Sequence, residues 1–182
     1  HPHSVSMPRP GWAEVDSDRV WWQDLVSLCR ELAPRAGEHR IAALCASGVG
    51  PCLLLCDDAD RPVRPAILYG IDMRAGAAIE ELTRRYGADE ILARGGTALS
   101  SQAVGPKALW VRRHEPDAWS RAAGWYNSNS FLVKRLTGEY VSAAAGTKVS
   151  ARFLPDTRQW FAVVEGEVRV TIEGQPVFTA TR

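Results

Sequence analysis

Near its N-terminus the chain reads Pro8-Arg9-Pro10-Gly11-Trp12-Ala13-Glu14-Val15-Asp16, its most informative segment. The prolines and the glycine predict an irregular lead-in, after which Asp16 or Ser17 can cap the N-terminus of a helix. Apolar residues then recur at helical spacing from Trp21 to Leu32. This spacing predicts an amphipathic helix that ends at Pro34.

Further along the chain, apolar runs of strand length follow this helix. Residues 41–47 and 52–56 are such runs, and the glycine-containing turn 48–51 separates them. The acidic residues 57–60 have the composition of a hairpin turn, from which residues 63–69 would return as another strand. The sequence therefore predicts neighbouring strands in one sheet.

Helices are expected after these strands. Helical spacing marks residues 75–86, and Gly87 is well placed to cap the C-terminus of that helix. Residues 88–137 contain short helical stretches interrupted by glycine and proline, and helical spacing returns over residues 130–137. Because helices follow strands, the sequence predicts an α/β layer fold.

The pattern changes after Val141. Residues 160–164, 168–172 and 177–181 are rich in apolar and β-branched residues and are separated by Glu-Gly turns. This pattern predicts an antiparallel β-meander. Its apolar faces would need further strands to cover them, so we expect the opening of a β-barrel or sandwich, or a homo-oligomer formed through the exposed strands.

Composition limits the classes of function. The chain has 182 residues, 46% hydrophobic and 24% charged, which suffices for one sizeable core or two small ones. Lys and Arg total 22 against 21 Asp and Glu, so neither nucleic acid nor an anionic membrane is an expected partner. Without a bilayer-length apolar run or a signal-peptide layout, we expect a cytoplasmic protein.

The cysteines Cys29, Cys45, Cys52 and Cys56 lie in or beside apolar stretches. None belongs to a C-x-x-C pair, which argues against a zinc knuckle or a redox pair. Cys52 and Cys56 have the same strand parity, but no His lies near them in the sequence. We expect buried free thiols and no metal site.

Segments in chain order resemble the FGGY family of carbohydrate kinases. Residues 8–16 resemble its P-x-P-G-W-x-E-x-D string, and residues 47–52 lie where the family has an S-G-Q-x-x-G-like turn in the sugar pocket. Residues 65–74 resemble P-A-I-L-(W/Y)-x-D-x-R, residues 106–116 resemble P-K-L-x-W-x-x-x-x-E-P, and residues 130–140 resemble D-Y-L-x-x-x-L-T-G-x-x. The resemblance runs from His1 to about Val141.

This resemblance implies an actin-like (ribonuclease H-like) ATPase fold, with residues 1–141 as an incomplete N-terminal domain and a sugar or polyol bound in the cleft between domains. It implies transfer of the ATP γ-phosphoryl group to a hydroxyl, with ATP and Mg²⁺ as cofactors of the family. The family's D-x-G-T-like phosphate loop and the later G-x-x-D segment with the catalytic base have no match here. We therefore expect no catalytic or cofactor-binding residue in this chain, and no kinase activity from it alone.

Substrate-binding residues are implied at Asp72, Arg74, the turn Ser47-Gly48-Val49-Gly50 and Asn127. A carboxylate accepts hydrogen bonds from vicinal hydroxyls, a guanidinium donates several, and Asp72 and Arg74 should point the same way in an extended segment. The alternative for this pair is a surface ion pair worth about 0 to 1 kcal/mol. The glycines would let backbone amides approach a ligand, or form a plain turn. Asn127 could instead cap a helix.

Two further positions bear on this site. Val49 stands where many sugar kinases have Gln, so the sequence does not identify the sugar. Lys107 could position an anion, but a lysine at the start of a helix is more commonly a solvated surface residue.

The tail has a resemblance of its own. Residues 155–174 are similar to the first part of a cupin barrel, although a generic meander is the alternative. The H-x-H metal pair of enzymatic cupins is absent, since no His follows His114. We therefore expect residues 142–182 to form a metal-free cupin-like segment. The leading hypothesis is a carbohydrate-kinase fragment that contributes part of the sugar-binding domain; the alternative is a non-catalytic sugar-binding or structural remnant.

Overall fold

The computed structural model describes residues 2–39, 41, 43–138, 167–170 and 178–181. The chain divides into two compact units, His1–Val141 and Ser142–Arg182. The first unit begins with strand β1 (Glu14–Val15), a π-helical turn (Ser17–Trp22) and helix α1 (Gln23–Leu32), which a 3₁₀ turn (Ala33–Ala36) follows. Its remaining elements are β2 (Leu54–Cys56), β3 (Ala66–Ile67), α2 (Gly76–Tyr86), α3 (Ala88–Gly95), α4 (Val104–His114), α5 (Pro116–Arg121), β4 (Gly124–Tyr126) and α6 (Ser128–Thr137).

The predicted helix boundaries are confirmed where a local cap defines them. Asp16 precedes the first helical turn, and its Oδ1 accepts hydrogen bonds from the backbone N–H groups of Asp18 and Arg19 at 3.1 and 3.0 Å. Helix α2 ends at Gly87, whose φ of +84° suits glycine and whose N–H donates to the carbonyl of Thr83. A side-chain oxygen thus caps the start of the first helical segment, and a glycine caps the end of α2, as the sequence predicts.

The strands of this unit pair antiparallel. Strand β1 pairs with β3, and β2 pairs with β4. Leu53, just before β2, bridges to Ile67 of β3. The hairpin turn predicted at residues 57–60 lies between β2 and β3. It is confirmed, because the N–H of Asp57 donates to the carbonyl of Arg61 at 2.9 Å.

Strand β2 is buried on both faces. Leu54 and Cys56 belong to one apolar cluster with Phe131 of α6, while Leu53 and Leu55 face another cluster with Val111 of α4. Side chains alternate between the faces of a strand, so an unbroken apolar run suits a strand with helices on both sides. This layering confirms the predicted α/β class.

Residues 41–47 do not form a strand, contrary to prediction. The described residues of this run, 41 and 43–47, belong to no helix or strand, and the side chains of Ile41 and Leu44 are exposed. A strand needs a hydrogen-bonded neighbour for its backbone groups, and the described strands of this unit pair with one another instead. Residues 48–51 therefore lead from irregular chain into β2 rather than joining two strands.

The second unit contains β5 (Glu167–Val170) and β6 (Phe178–Thr181), which pair antiparallel. They coincide approximately with two strands of the predicted meander, whereas the strand predicted at residues 160–164 lies outside the described residues. Within the described part of the chain, every helix is too short or too polar to cross a membrane.

Candidate functional site

Asp72 and Arg74 form a buried ion pair. The Oδ2 atom of Asp72 accepts from Nη2 of Arg74 at 2.7 Å, its Oδ1 accepts from Nε at 2.9 Å, and neither side chain is exposed to solvent. Asp72 Oδ2 also accepts from the N–H of Ala13 at 2.7 Å. The predicted common direction of the two side chains is confirmed, and the alternative of a surface pair is wrong because the pair lies inside the protein.

Further charges extend this pair into a network. Arg74 Nη1 donates to Glu14 Oε1 at 2.7 Å, and the same oxygen accepts from Arg64 Nη2 at 2.5 Å. Arg64 Nε then donates to Glu115 at 2.6 Å. Burial works to lower the pKa of the Arg74 guanidinium, but its hydrogen bonds to Asp72 and Glu14 raise that pKa above its ordinary value. Arg74 therefore stays charged.

Aromatic rings enclose the guanidinium. The Cζ of Arg74 lies 4.1 Å from the ring centroid of Trp12 and 5.1 Å from that of Trp110, and the two rings meet edge to face with centroids 5.0 Å apart. Ring faces attract cations, so both indoles stabilise the buried charge. Sequence reasoning missed these partners and Glu14, although each belongs to a segment quoted for the family resemblance.

Lys107 is buried, contrary to the expectation of a solvated surface residue. Its side chain lies in the first turn of α4, and Nζ donates to the carbonyl of Leu68 at 2.9 Å. Burial lowers the pKa of this ammonium group, while the nearby carboxylate of Asp72 opposes that change. Lys107 thus ties α4 to the chain that follows β3.

The turn of residues 47–50 lies at the N-terminus of α6. All of its residues are exposed. The carbonyl of Val49 accepts from Oγ of Ser128 at 2.7 Å and from Sγ of Cys52 at 3.1 Å. Asn127 occupies the N-cap position of α6, and its N–H donates to Oγ of Ser130 at 2.9 Å. The structure thus brings the turn and Asn127 together.

The predicted site residues therefore fall into two groups. One comprises Asp72 and Arg74 in the buried network, and the other comprises residues 47–50 with Asn127. Cys52 contacts the second group, because its thiol donates to the carbonyl of Val49. Burial raises the pKa of this thiol, and a backbone hydrogen bond with Tyr69 and the charge of Lys107 oppose part of that rise.

Cysteines and metal ligands add no further site among the described residues. Cys52 and Cys56 are buried free thiols as predicted, and burial raises the pKa of Cys56 to about 12. Cys29 is half-buried, and Cys45 is exposed, which the sequence did not predict. The described residues contain no group of three or more His, Cys, Asp or Glu side chains placed to hold a metal ion.

Comparison with known proteins identifies the family of this chain. Residues 1–160 match the N-terminal domain of the FGGY family of carbohydrate kinases. The chain therefore belongs to this family, as the sequence predicts. The match extends beyond Val141, where the predicted domain ends.

Particular relatives are sugar and polyol kinases. Xylulose kinase of Escherichia coli (strain K12) is 31% identical over 147 residues, which cover 79% of this chain and 30% of that protein. Glycerol kinase of Nocardia farcinica is 32% identical over 168 residues, covering 87% and 33%. The crystal structure of xylulose kinase from Rhodospirillum rubrum superposes with a TM-score of 0.73 at 35% identity, covering 78% and 29%.

The relatives also bear on the predicted actin-like fold and on the predicted cupin-like tail. The structural neighbours are sugar kinases of the same family, which supports the actin-like fold for the first unit. The chain spans about a third of the length of the curated relatives it matches. None of these matches supports the cupin-like resemblance of residues 155–174, most of which lie outside the described residues.

Proposed function

We propose that this chain supplies part of the sugar-binding domain of an ATP-dependent carbohydrate kinase, which transfers the γ-phosphoryl group to a hydroxyl of a small ketose or polyol. The observation that carries the proposal is the match of residues 1–160 to the N-terminal domain of the FGGY family. Xylulose kinases among the relatives favour D-xylulose as the first candidate, and glycerol kinases favour glycerol as the second.

The turn of residues 47–50 and Asn127 are the proposed direct contacts. The turn is exposed, and among the described residues the N–H groups of Ser47, Gly48 and Val49 donate to no protein acceptor. Backbone N–H groups are donors that a sugar hydroxyl oxygen can accept from, and an Asn side chain can both donate and accept. This combination suits a ligand with adjacent hydroxyl groups.

Asp72 and Arg74 fit a supporting role better than the predicted direct contact. Their polar atoms are engaged with each other, with Ala13 and with Glu14, and their side chains are closed to solvent. A sugar hydroxyl could reach them only if this network opened, which would leave buried charges unpaired. We infer that they hold the segment after β3 against the chain around β1.

ATP and Mg²⁺ would supply the transferred phosphoryl group and neutralise its charge in such a kinase. The described residues do not fit them. Asp72 is taken up by Arg74 and Ala13, and no cluster of metal ligands occurs among the described residues. We therefore assign no described residue to the nucleotide or the metal, and we assign no catalytic base.

Isothermal titration of the 182-residue chain with D-xylulose and glycerol tests the binding proposal. We expect one of these ligands to bind. Asn127→Asp keeps a good N-cap but removes the amide donor, so it should weaken binding roughly two- to tenfold, the effect of one hydrogen bond. Asn129→Asp is the matched control, since it adds the same charge within the first turn of α6. Absence of binding by both ligands would overturn the proposal.

A further inference from the structure

The turn of residues 47–50 is attached to the protein through one carbonyl group. The oxygen of Val49 accepts a hydrogen bond from Oγ of Ser128, the first residue of α6, at 2.7 Å. Ser128 is 3% exposed, whereas Val49 is 57% exposed. A buried hydroxyl on a helix therefore holds an otherwise exposed turn.

Gly48 makes this attachment possible because the turn approaches α6 too closely for a side chain. A Cβ atom at position 48 would lie 2.3 Å from Oγ of Ser128 and 2.8 Å from the backbone nitrogen of Asn129. Both distances are far below van der Waals contact, and the backbone of α6 cannot readily move aside. The glycine thus sets the distance that the Ser128 hydrogen bond requires.

A second donor fixes the direction of the same carbonyl. Sγ of Cys52, which is 1% exposed, lies 3.1 Å from the oxygen of Val49. A carbonyl oxygen has two lone pairs, so the hydroxyl and the thiol can both be satisfied. With donors on α6 and just before β2, the peptide group of Val49 has little freedom to rotate.

We propose that Ser128 is a positioning residue for sugar binding: its hydroxyl holds the carbonyl of Val49, so that the N–H groups of residues 47–49 meet the sugar in one conformation. This inference rests on the proposed function of the turn. Ser128 would act through Val49 and not by contacting the sugar itself. Loss of the Ser128 hydroxyl should weaken sugar binding, because the turn must then be ordered when the sugar binds.

The test compares Ser128→Ala with Ser120→Ala in the full chain. Ser120 is the matched control because its Oγ also donates to a backbone carbonyl, that of Asp117 in α5 at 3.0 Å, and belongs neither to the turn nor to the N-terminus of α6. Titration with whichever of D-xylulose and glycerol binds the unsubstituted chain gives the affinities. We expect Ser128→Ala to raise the dissociation constant roughly two- to tenfold, and Ser120→Ala to leave it unchanged even if it lowers thermal stability. Equal effects of the two substitutions would overturn the inference while leaving the proposed function intact.

A second measurement does not depend on sugar. In ¹⁵N relaxation experiments, the amide order parameters of Gly48 and Val49 should fall toward about 0.6 or below in Ser128→Ala and stay unchanged in Ser120→Ala. If the unsubstituted chain binds none of the ligands, the proposed function and the role in sugar binding both fail, and the order parameters alone decide whether Ser128 holds the turn.

Gly48→Ala completes the test. It should weaken sugar binding by displacing the turn from α6, and it should add little further weakening in a chain that already carries Ser128→Ala. Such non-additivity is expected of two changes that act on one contact. Fully additive effects would contradict a shared mechanism.

Discussion

Arg74 combines more kinds of partner than any other residue discussed above. Its guanidinium donates to two carboxylates, from Asp72 and Glu14, and lies against the rings of Trp12 and Trp110. Only a planar group with several donors can make these contacts together, because the carboxylates lie in its plane while an indole covers its face. The position therefore requires arginine rather than positive charge alone.

Arg74→Lys should consequently destabilise the protein by about 3 to 5 kcal/mol, the usual consequence of leaving buried charges poorly paired. Urea unfolding monitored by tryptophan fluorescence measures this difference. Arg113→Lys is the matched control, because Arg113 pairs with Glu81 at the protein surface, where the two side chains are 47% and 38% exposed. We expect that change to stay within about 1 kcal/mol. Similar losses in the two variants would contradict the importance of burial.

Asp57 shows how one half-buried carboxylate organises a turn. Its Oδ1 accepts from the N–H groups of Ala59 and Arg61, and its Oδ2 accepts from Nε of Arg61, each at 2.9 Å. The backbone hydrogen bond from Arg61 makes the largest contribution to lowering the pKa of Asp57 below its ordinary value of 3.8. The folded state thus favours the ionised carboxylate.

The pH dependence of stability follows from this shift. Because the folded pKa lies below the unfolded one, the stabilisation is fully present above the unfolded value and is lost as pH falls through the folded value. As pH falls below about 5, the melting temperature of Asp57→Asn should fall less steeply than that of the unsubstituted chain. Asp58→Asn removes the same charge from the same turn without removing an acceptor for Arg61, and it should retain the full decline. Identical slopes for all three proteins would contradict the assignment.

In this chain, local residues predict the boundaries of helices better than they predict which segments form strands. The span of α2 was predicted to within one residue, because its apolar spacing and the capping Gly87 are local features. The apolar run of residues 41–47 predicts a strand, yet strand formation depends on which segments pair beside it. The residues of one segment do not determine which other segment pairs with it.

The candidate site likewise depends both on local spacing and on contacts between residues far apart in sequence. The spacing of Asp72 and Arg74 predicted that their side chains would lie together, whereas their burial depends on Glu14 and Trp12, some 60 residues away in sequence. Residues 47–50 are also a predicted contact, but the sequence predicts a turn between two strands and not their attachment to Ser128, which joins residues 79 positions apart. Family motifs identified both segments, and only the fold shows what each one contacts.

The N-terminal cap of the first helical segment offers a test at the scale of an element. Asp16→Ala removes the acceptor for the N–H groups of Asp18 and Arg19, so it should destabilise the protein by about 0.5 to 2 kcal/mol. Asp16→Asn retains a side-chain oxygen and should stay close to the unsubstituted chain. Urea unfolding followed by circular dichroism measures both. A loss for Asn as large as that for Ala would show that charge, and not capping, matters.

The first compact unit, His1–Val141, has an apolar core that joins distant parts of its sequence. The clusters around β2 include residues from Leu53 to Leu132. The buried ion-pair network and the attachment of the turn to Ser128 also join residues of this unit to one another. We expect these contacts to supply most of the stability of the unit.

A chain that ends at Val141 should accordingly keep the urea midpoint of the full chain when its tryptophan fluorescence is followed. The physical reason is that hydrophobic burial and satisfied buried hydrogen bonds are the main contributions to stability, and the core clusters and buried ion pairs described for this unit join its residues to one another. A chain that ends at residue 160 is the control, because the family match extends that far. If the chain ending at Val141 unfolds at lower urea while the chain ending at residue 160 matches the full one, residues 142–160 belong to the kinase domain. The boundary at Val141 would then be wrong.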